Sequence, residues 1–136
     1  MVLDKGVFLD FDSVRPADLE TGALQGCVSS WSFFPSTQPD ELAGRLAGAA
    51  VVISNKVMLS AAALQQAPDL KLICVAATGT NNVDLDAARA LGKAVTNVRA
   101  YGTASVVQHV FALLLALTTR LREQQRSAQD GTWSRS

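Results

Sequence analysis

Short apolar runs alternate with stretches of helical periodicity along this chain, and the alternation predicts its elements in order. Residues 6–11 form a compact run with Val7, Phe8 and Leu9 and predict a first strand. Residues 16–24 predict a short helix, with Pro16 suited to its first turn. Residues 31–34 predict a second strand closed by Pro35. Thr37 is placed to cap a helix running to about Ala47, with Pro39, Asp40 and Glu41 in its first turn. Residues 50–54 predict a third strand, and Ser60 caps a helix over 61–66 that Pro68 closes. Residues 71–76 predict a fourth strand. Asp84 opens a helix to about Leu91, where Gly92 supplies the stop. Residues 94–97 predict a fifth strand, and one long helix follows over about 103–126.

Strand–helix alternation with short links predicts a parallel sheet covered on both faces. The expected fold is α/β: a flavodoxin-like doubly wound sheet of about five strands, followed by a long C-terminal helix. Within that helix, residues 110–117 are apolar without a break. Two helical turns cover all angles, so this segment needs cover on every side. Val106, Val110, Leu113, Leu114, Leu117 and Leu121 follow one face, while Phe111 and Leu115 stack on another. A missing domain, a second copy of the chain, or both are expected to cover them, with self-association through residues 106–121.

Composition narrows the partners. The 136 residues are 49% hydrophobic, and 12 basic residues balance 12 acidic ones. Neutrality gives no electrostatic footprint for nucleic acid or an anionic membrane, so a small ligand held by local geometry is expected. The longest apolar run is far shorter than the ~20 residues of a membrane helix. Met1 to Lys5 lacks a signal-peptide pattern. Cys27 and Cys74 are the only cysteines, and Cys74 sits in an apolar run. Reduced thiols and a cytoplasmic location are expected.

Doubly wound sheets bind ligands beyond the carboxyl ends of their strands. That rule selects Asp10 to Asp12, Asn55-Lys56, Thr78 to Asn82, and Asn97 to Arg99. At Gly79 the missing Cβ lets a ligand approach the backbone, and successive N–H groups in such a turn can hold a carboxylate. The same residues also suit a tight strand-to-helix turn, with Asn81 or Asn82 at positive φ and Asp84 capping the helix. Lys56 offers a cation, or its backbone N–H a carboxylate donor; it also suits a solvated loop. Arg99 is a similar case. Asp10 and Asp12 flank Phe11 and suit turn capping better than a metal, since two carboxylates alone are a weak cation signal. His109, the one histidine, has no carboxylate near it in sequence to orient it as a base. No metal site and no catalytic residue is assigned. There is no Gly-x-Gly-x-x-Gly and no phosphate loop.

Three stretches together carry a resemblance: Ala77-Thr78-Gly79-Thr80-Asn81-Asn82-Val83-Asp84, then Val95-Thr96-Asn97-Val98, then the run from Tyr101 through Gln108-His109 to Leu117. In order and spacing the chain resembles the N-terminal substrate domain of the D-2-hydroxyacid dehydrogenase family, most strongly over residues 50–120. Ser54-Asn55-Lys56-Val57 and Gln108-His109 resemble its glycerate dehydrogenase (hydroxypyruvate reductase) branch. Arg99-Ala100 stands where a Pro-containing pair is usual, and Val107 where Ala is usual.

The resemblance implies a substrate domain over residues 1–102, a long helix over 103–127 crossing to a cofactor domain, and a polar tail over 128–136. It implies hydride transfer between NAD or NADP and a 2-oxo or D-2-hydroxy acid. The backbone around Asn55, Lys56, Thr78 and Gly79 would hold the acid, while Thr103 and Val107 would approach the nicotinamide. The family's catalytic Arg, Glu and His and its Gly-rich loop come later than Ser136, so this chain alone is expected to be inactive and to bind no cofactor. Two other classes remain open at this point: a non-enzymatic α/β module that dimerises through the long helix, and a receiver-like signalling domain suggested by Asp10 and Asp12.

Overall fold

The structure is a computed structural model that describes residues 3–14, 17 and 19–135. Its chain divides into two compact units, residues 1–99 and 100–136.

The first unit is a five-stranded sheet with β1 (Leu3–Phe8), β2 (Val28–Phe33), β3 (Val51–Ser54), β4 (Leu72–Val75) and β5 (Ala94–Asn97) in the order β2-β1-β3-β4-β5. Every pairing is parallel. This is the flavodoxin-like order expected for the doubly wound class. β3 lies at the centre, and all four of its residues are buried. Helices α2 (Leu42–Leu46), α3 (Ala61–Gln65) and α4 (Leu85–Ala90) bring Leu42, Leu46, Leu64 and Ala88 into one core with Val52, Ile73 and Val75.

Phe8 points to the other face by strand alternation. There it meets Phe11 at 5.1 Å between ring centroids, and Phe11 meets Phe33 at 4.9 Å. The Trp31 indole N–H donates to the Leu24 carbonyl of α1 (Gly22–Gln25) at 2.7 Å. Gly6 pairs with Trp31 in register, and a Cβ on Gly6 would lie 2.7 Å from that indole. Glycine is required there for close approach, not for backbone conformation.

Local signals set several boundaries as expected. Ser60 accepts from the Ala63 N–H and Asp84 from the Ala87 N–H, and Gly92 stops α4 at φ +67°. Others differ. The first strand ends at Phe8, because Phe11–Val14 turns into a 3-10 helix. The second strand begins earlier, at Val28. The predicted helix over 16–24 is reduced to α1, and Pro16 lies outside the described residues. Thr37 caps nothing: its hydroxyl donates to the Leu9 carbonyl and accepts from Arg45, so it ties the β2–α2 loop to β1. Arg45 also pairs with Glu41 at 2.8 Å and lies 4.1 Å over the Phe34 ring.

The second unit holds α5 (Thr103–Thr118) and α6 (Leu121–Gln129). The single long helix expected over 103–126 is broken. Arg120 takes a left-handed conformation at φ 51°, and the two helices bend by 61°. Thr118 and Thr119 hydroxyls bond back to carbonyls of the preceding turn, an alternative partner that weakens a helix end. No residue of α5 is buried. No single helix among the described residues is long and apolar enough to cross a membrane.

Candidate functional site

Asp10 follows β1 and is 6% exposed. The Asn55 N–H donates to both of its carboxylate oxygens, at 2.9 and 3.2 Å, and the Lys56 N–H donates to one at 2.6 Å. The Val57 N–H donates to the Ser54 hydroxyl at 3.1 Å. The backbone donors that open the β3 loop are therefore filled from within. The Asn55 side-chain amide donates to the Ser13 hydroxyl at 3.0 Å. Lys56 is exposed, and among the described residues its ammonium has no hydrogen bond or ion pair.

The far end of this loop is tied to the next one. The Leu59 N–H donates to the Asn82 carbonyl at 2.7 Å, and the Asp84 N–H to the Leu59 carbonyl at 3.0 Å. The buried Asn82 side chain donates to the Val57 carbonyl at 3.2 Å, while its Oδ1 has no partner. The loops after β1, β3 and β4 thus form one hydrogen-bonded assembly at the carboxyl edge of the sheet.

The loop after β4 offers something different. Among the described residues, the N–H groups of Thr78, Gly79, Thr80 and Asn81 have no acceptor in the protein. Thr78 and Gly79 are exposed, and the Thr78 carbonyl takes the Asn97 side-chain amide at 2.7 Å. Neither Asn81 nor Asn82 has the positive φ expected of them, and Gly79 does not either. The turn is made by ordinary backbone, which leaves close approach as the reason for glycine. A Cβ on Gly79 would come within 3.1 Å of the Asn81 side-chain oxygen.

A cleft of about 890 Å³ opens at the β1/β3 switch point, with Asp12, Thr37, Leu42, Lys56, Met58 and Ala63 in its wall. Thr78 and Gly79 do not line it. On α5, Thr103 and Val107 are exposed one turn apart. They present one hydroxyl and one apolar side chain. His109 is exposed on the same helix. No cluster of His, Cys, Asp and Glu able to hold a metal occurs among the described residues, and both cysteines are free.

The sequence missed the use made of Asp10. The signal was available: in a β2-β1-β3 order, an acid ending β1 faces the amides that open the β3 loop.

A parallel sheet in this order, with strand–helix alternation along the chain, defines an α/β domain of the doubly wound class. The chain belongs to the D-isomer specific 2-hydroxyacid dehydrogenase family, whose catalytic-domain model matches residues 8–129. It is 45% identical over 135 residues to glycerate dehydrogenase of Methylorubrum extorquens, covering 97% of this chain and 41% of that protein. It is 31% identical to hydroxypyruvate reductase of Blautia hydrogenotrophica, covering 95% and 41%. The fold matches a 2-hydroxyacid dehydrogenase from Ketogulonicigenium vulgare with a TM-score of 0.74 at 22% identity, over 100% of this chain and 42% of that one. The NAD-bound formate dehydrogenase of Staphylococcus aureus matches at 0.68 and 25%, over 93% and 41%. The chain thus spans about two fifths of the length of these relatives. Membership in this family displaces the receiver-like reading, and Asp10 is committed to backbone amides.

Proposed function

We propose that this chain is the substrate-side portion of an oxidoreductase that interconverts a 2-oxo acid and a D-2-hydroxy acid, with hydroxypyruvate and glycerate as the pair. The observation that carries the reading is the run of four unpartnered N–H groups from Thr78 to Asn81. Such a run suits a carboxylate, and the Lys56 ammonium on the adjoining loop adds a cation. Similarity to a glycerate dehydrogenase and a hydroxypyruvate reductase supports the choice of substrate. A bound nicotinamide cofactor would supply the redox chemistry: NADH or NADPH would give a hydride to the 2-oxo acid, and NAD or NADP would take one from the hydroxy acid. This chain would orient the acid through the Thr78–Gly79 loop and the Lys56 ammonium, with Thr103 and Val107 toward the nicotinamide; the backbone amides of Asn55 and Lys56, expected to hold the acid, are taken by Asp10.

In this reading residues 1–102 are the substrate domain and residues 103–127 reach a cofactor domain outside this sequence, with 128–136 as a polar connection. Residues 106–121 join two copies as a homodimer, and the protein works in the cytoplasm. The 136-residue chain alone then binds no NADH and reduces no hydroxypyruvate; saturable NADH fluorescence at micromolar concentration would overturn this. In the protein that bears the chain, Gly79→Val lowers kcat/KM for the 2-oxo acid more than it weakens binding of the nicotinamide cofactor. An unchanged kcat/KM makes Gly79 a turn residue only. Replacing Phe111 with Glu and Leu115 with Lys shifts the dimer toward monomer in light scattering; a wild-type monomer at high concentration removes the interface.

A further inference from the structure

We propose that Asp10 is a positioning residue that decides where the acid docks, by occupying the backbone amides that open the β3 loop. The proposal rests on the reading of the Thr78–Gly79 loop and the Lys56 side chain as the groups that bind the acid. Two adjacent loops could each present consecutive N–H groups to a carboxylate. At β3 the groups of Asn55 and Lys56 already hold one, at 2.6–3.2 Å from the buried Asp10 oxygens. At β4 the groups of Thr78 to Asn81 hold none. A buried charge with three amide contacts is a strong acceptor, and its negative charge repels a second carboxylate at the same amides. The acid is directed to β4, in one orientation.

The same contact aims Lys56. Its backbone is pinned by Asp10, and three residues further on the loop is pinned again where the Leu59 N–H meets Asn82. Between those two ties the Asn82 side chain holds the Val57 carbonyl. The flexible part left to Lys56 is its side chain, whose ammonium has no protein partner among the described residues. Asp10 therefore acts on the substrate through Lys56 and through the exclusion of a competing mode, without touching it.

The test uses the full-length protein bearing this chain. Asp10→Asn keeps the shape and removes the charge. It is expected to lower kcat/KM for the 2-oxo acid about tenfold, the scale of a hydrogen bond to a charged group. The nicotinamide KM is expected to hold and kcat to change less. Asp10→Glu, which restores the charge, recovers part of the loss. Because Asp10 acts in part through Lys56, combining Asp10→Asn with Lys56→Met loses clearly less than the sum of the two single losses. Additive losses, or equal damage to both substrates with a matching fall in Tm, would overturn the proposal and leave Asp10 a structural residue. If the unmodified protein reduces no 2-oxo acid, the functional reading fails by itself. The hold on the loop is then decided by amide hydrogen exchange: Asp10→Asn must speed exchange at Asn55 and Lys56, and unchanged rates refute it.

Discussion

In the sheet unit, β1 to β4 each carry side chains at or near zero exposure, Val7, Val52 and Ile73 among them. In the helical unit neither α5 nor α6 buries a residue, and Phe111, Leu114 and Leu117 stand 57%, 52% and 77% exposed. Both units are rich in Leu and Val, so the contrast is one of arrangement. Alternating strands place their apolar residues on two defined faces that nearby helices can cover. A helix apolar on every side has no polar face to turn to water, and no single neighbour can satisfy it. The first unit buries a core of its own; the second leaves its large apolar side chains exposed.

Five substitutions break or sharpen this contrast, beginning with the largest expected effect. Leu64→Ala, in the core, costs about 2–5 kcal/mol, while Leu114→Ala on α5 changes unfolding of the sheet by less than ~0.5 kcal/mol. Urea melts of the two variants compare them, and equal losses would erase the distinction. Gly6→Ala forces a Cβ against an indole anchored to Leu24, and overpacking of this kind costs about 1–3 kcal/mol. Near-UV circular dichroism of Trp31 should change with it; an unaltered spectrum and midpoint would show that the ring yields freely.

Arg120→Gly acts in the other unit. It relieves a left-handed non-glycine residue, and is expected to protect α6 amides from exchange by up to ~1 kcal/mol. A loss of protection would mean that the Arg120 side chain, 3.7 Å from Glu123, matters more than the backbone. The smallest effect is at Lys93, a buried ammonium that donates to the Ala67 and Leu70 carbonyls at 2.7 and 3.0 Å. Burial pushes its pKa below 10.5, with Asp69 opposing. The charged form is thus penalised in the folded state, and the penalty is lifted as pH rises through the folded pKa toward 10.5. Relative to Lys93→Met, the wild type should gain stability over that alkaline interval. A constant difference across it would show that Lys93 titrates alike in both states.

The legible parts of the sequence were the local ones. A cap such as Ser60 or Asp84 acts on a backbone N–H three residues away, and Gly92 acts on its own φ, so each is written in a few adjacent letters. The long apolar run of α5 was equally plain. The contact between Asp10 and Asn55 crosses 45 positions and exists only once strand order is known. Thr37 was misjudged for the same reason: it suits a cap locally, and β1 offers it a better acceptor 28 residues away. The break at Arg120 was hidden because hydrophobic periodicity continues through it to Leu121, while the Thr118 and Thr119 hydroxyls compete for the ladder's carbonyls.

All five strands lie between Leu3 and Asn97, which gives the sheet a place in time as well as in space. A ribosome adds about 5–20 residues per second, so the stretch from Ala100 to the end of the Leu-rich run at Leu117 takes roughly 1–4 s to make. Many small domains fold within that interval. The sheet can close over Val52 and Ile73 before the Leu-rich segment of α5 is released, and a newborn chain is spared having its own stickiest helix invade a half-built core. A circular permutant that places residues 103–118 ahead of β1 would reverse that order of manufacture. Its yield of soluble protein should fall even though every native contact remains available.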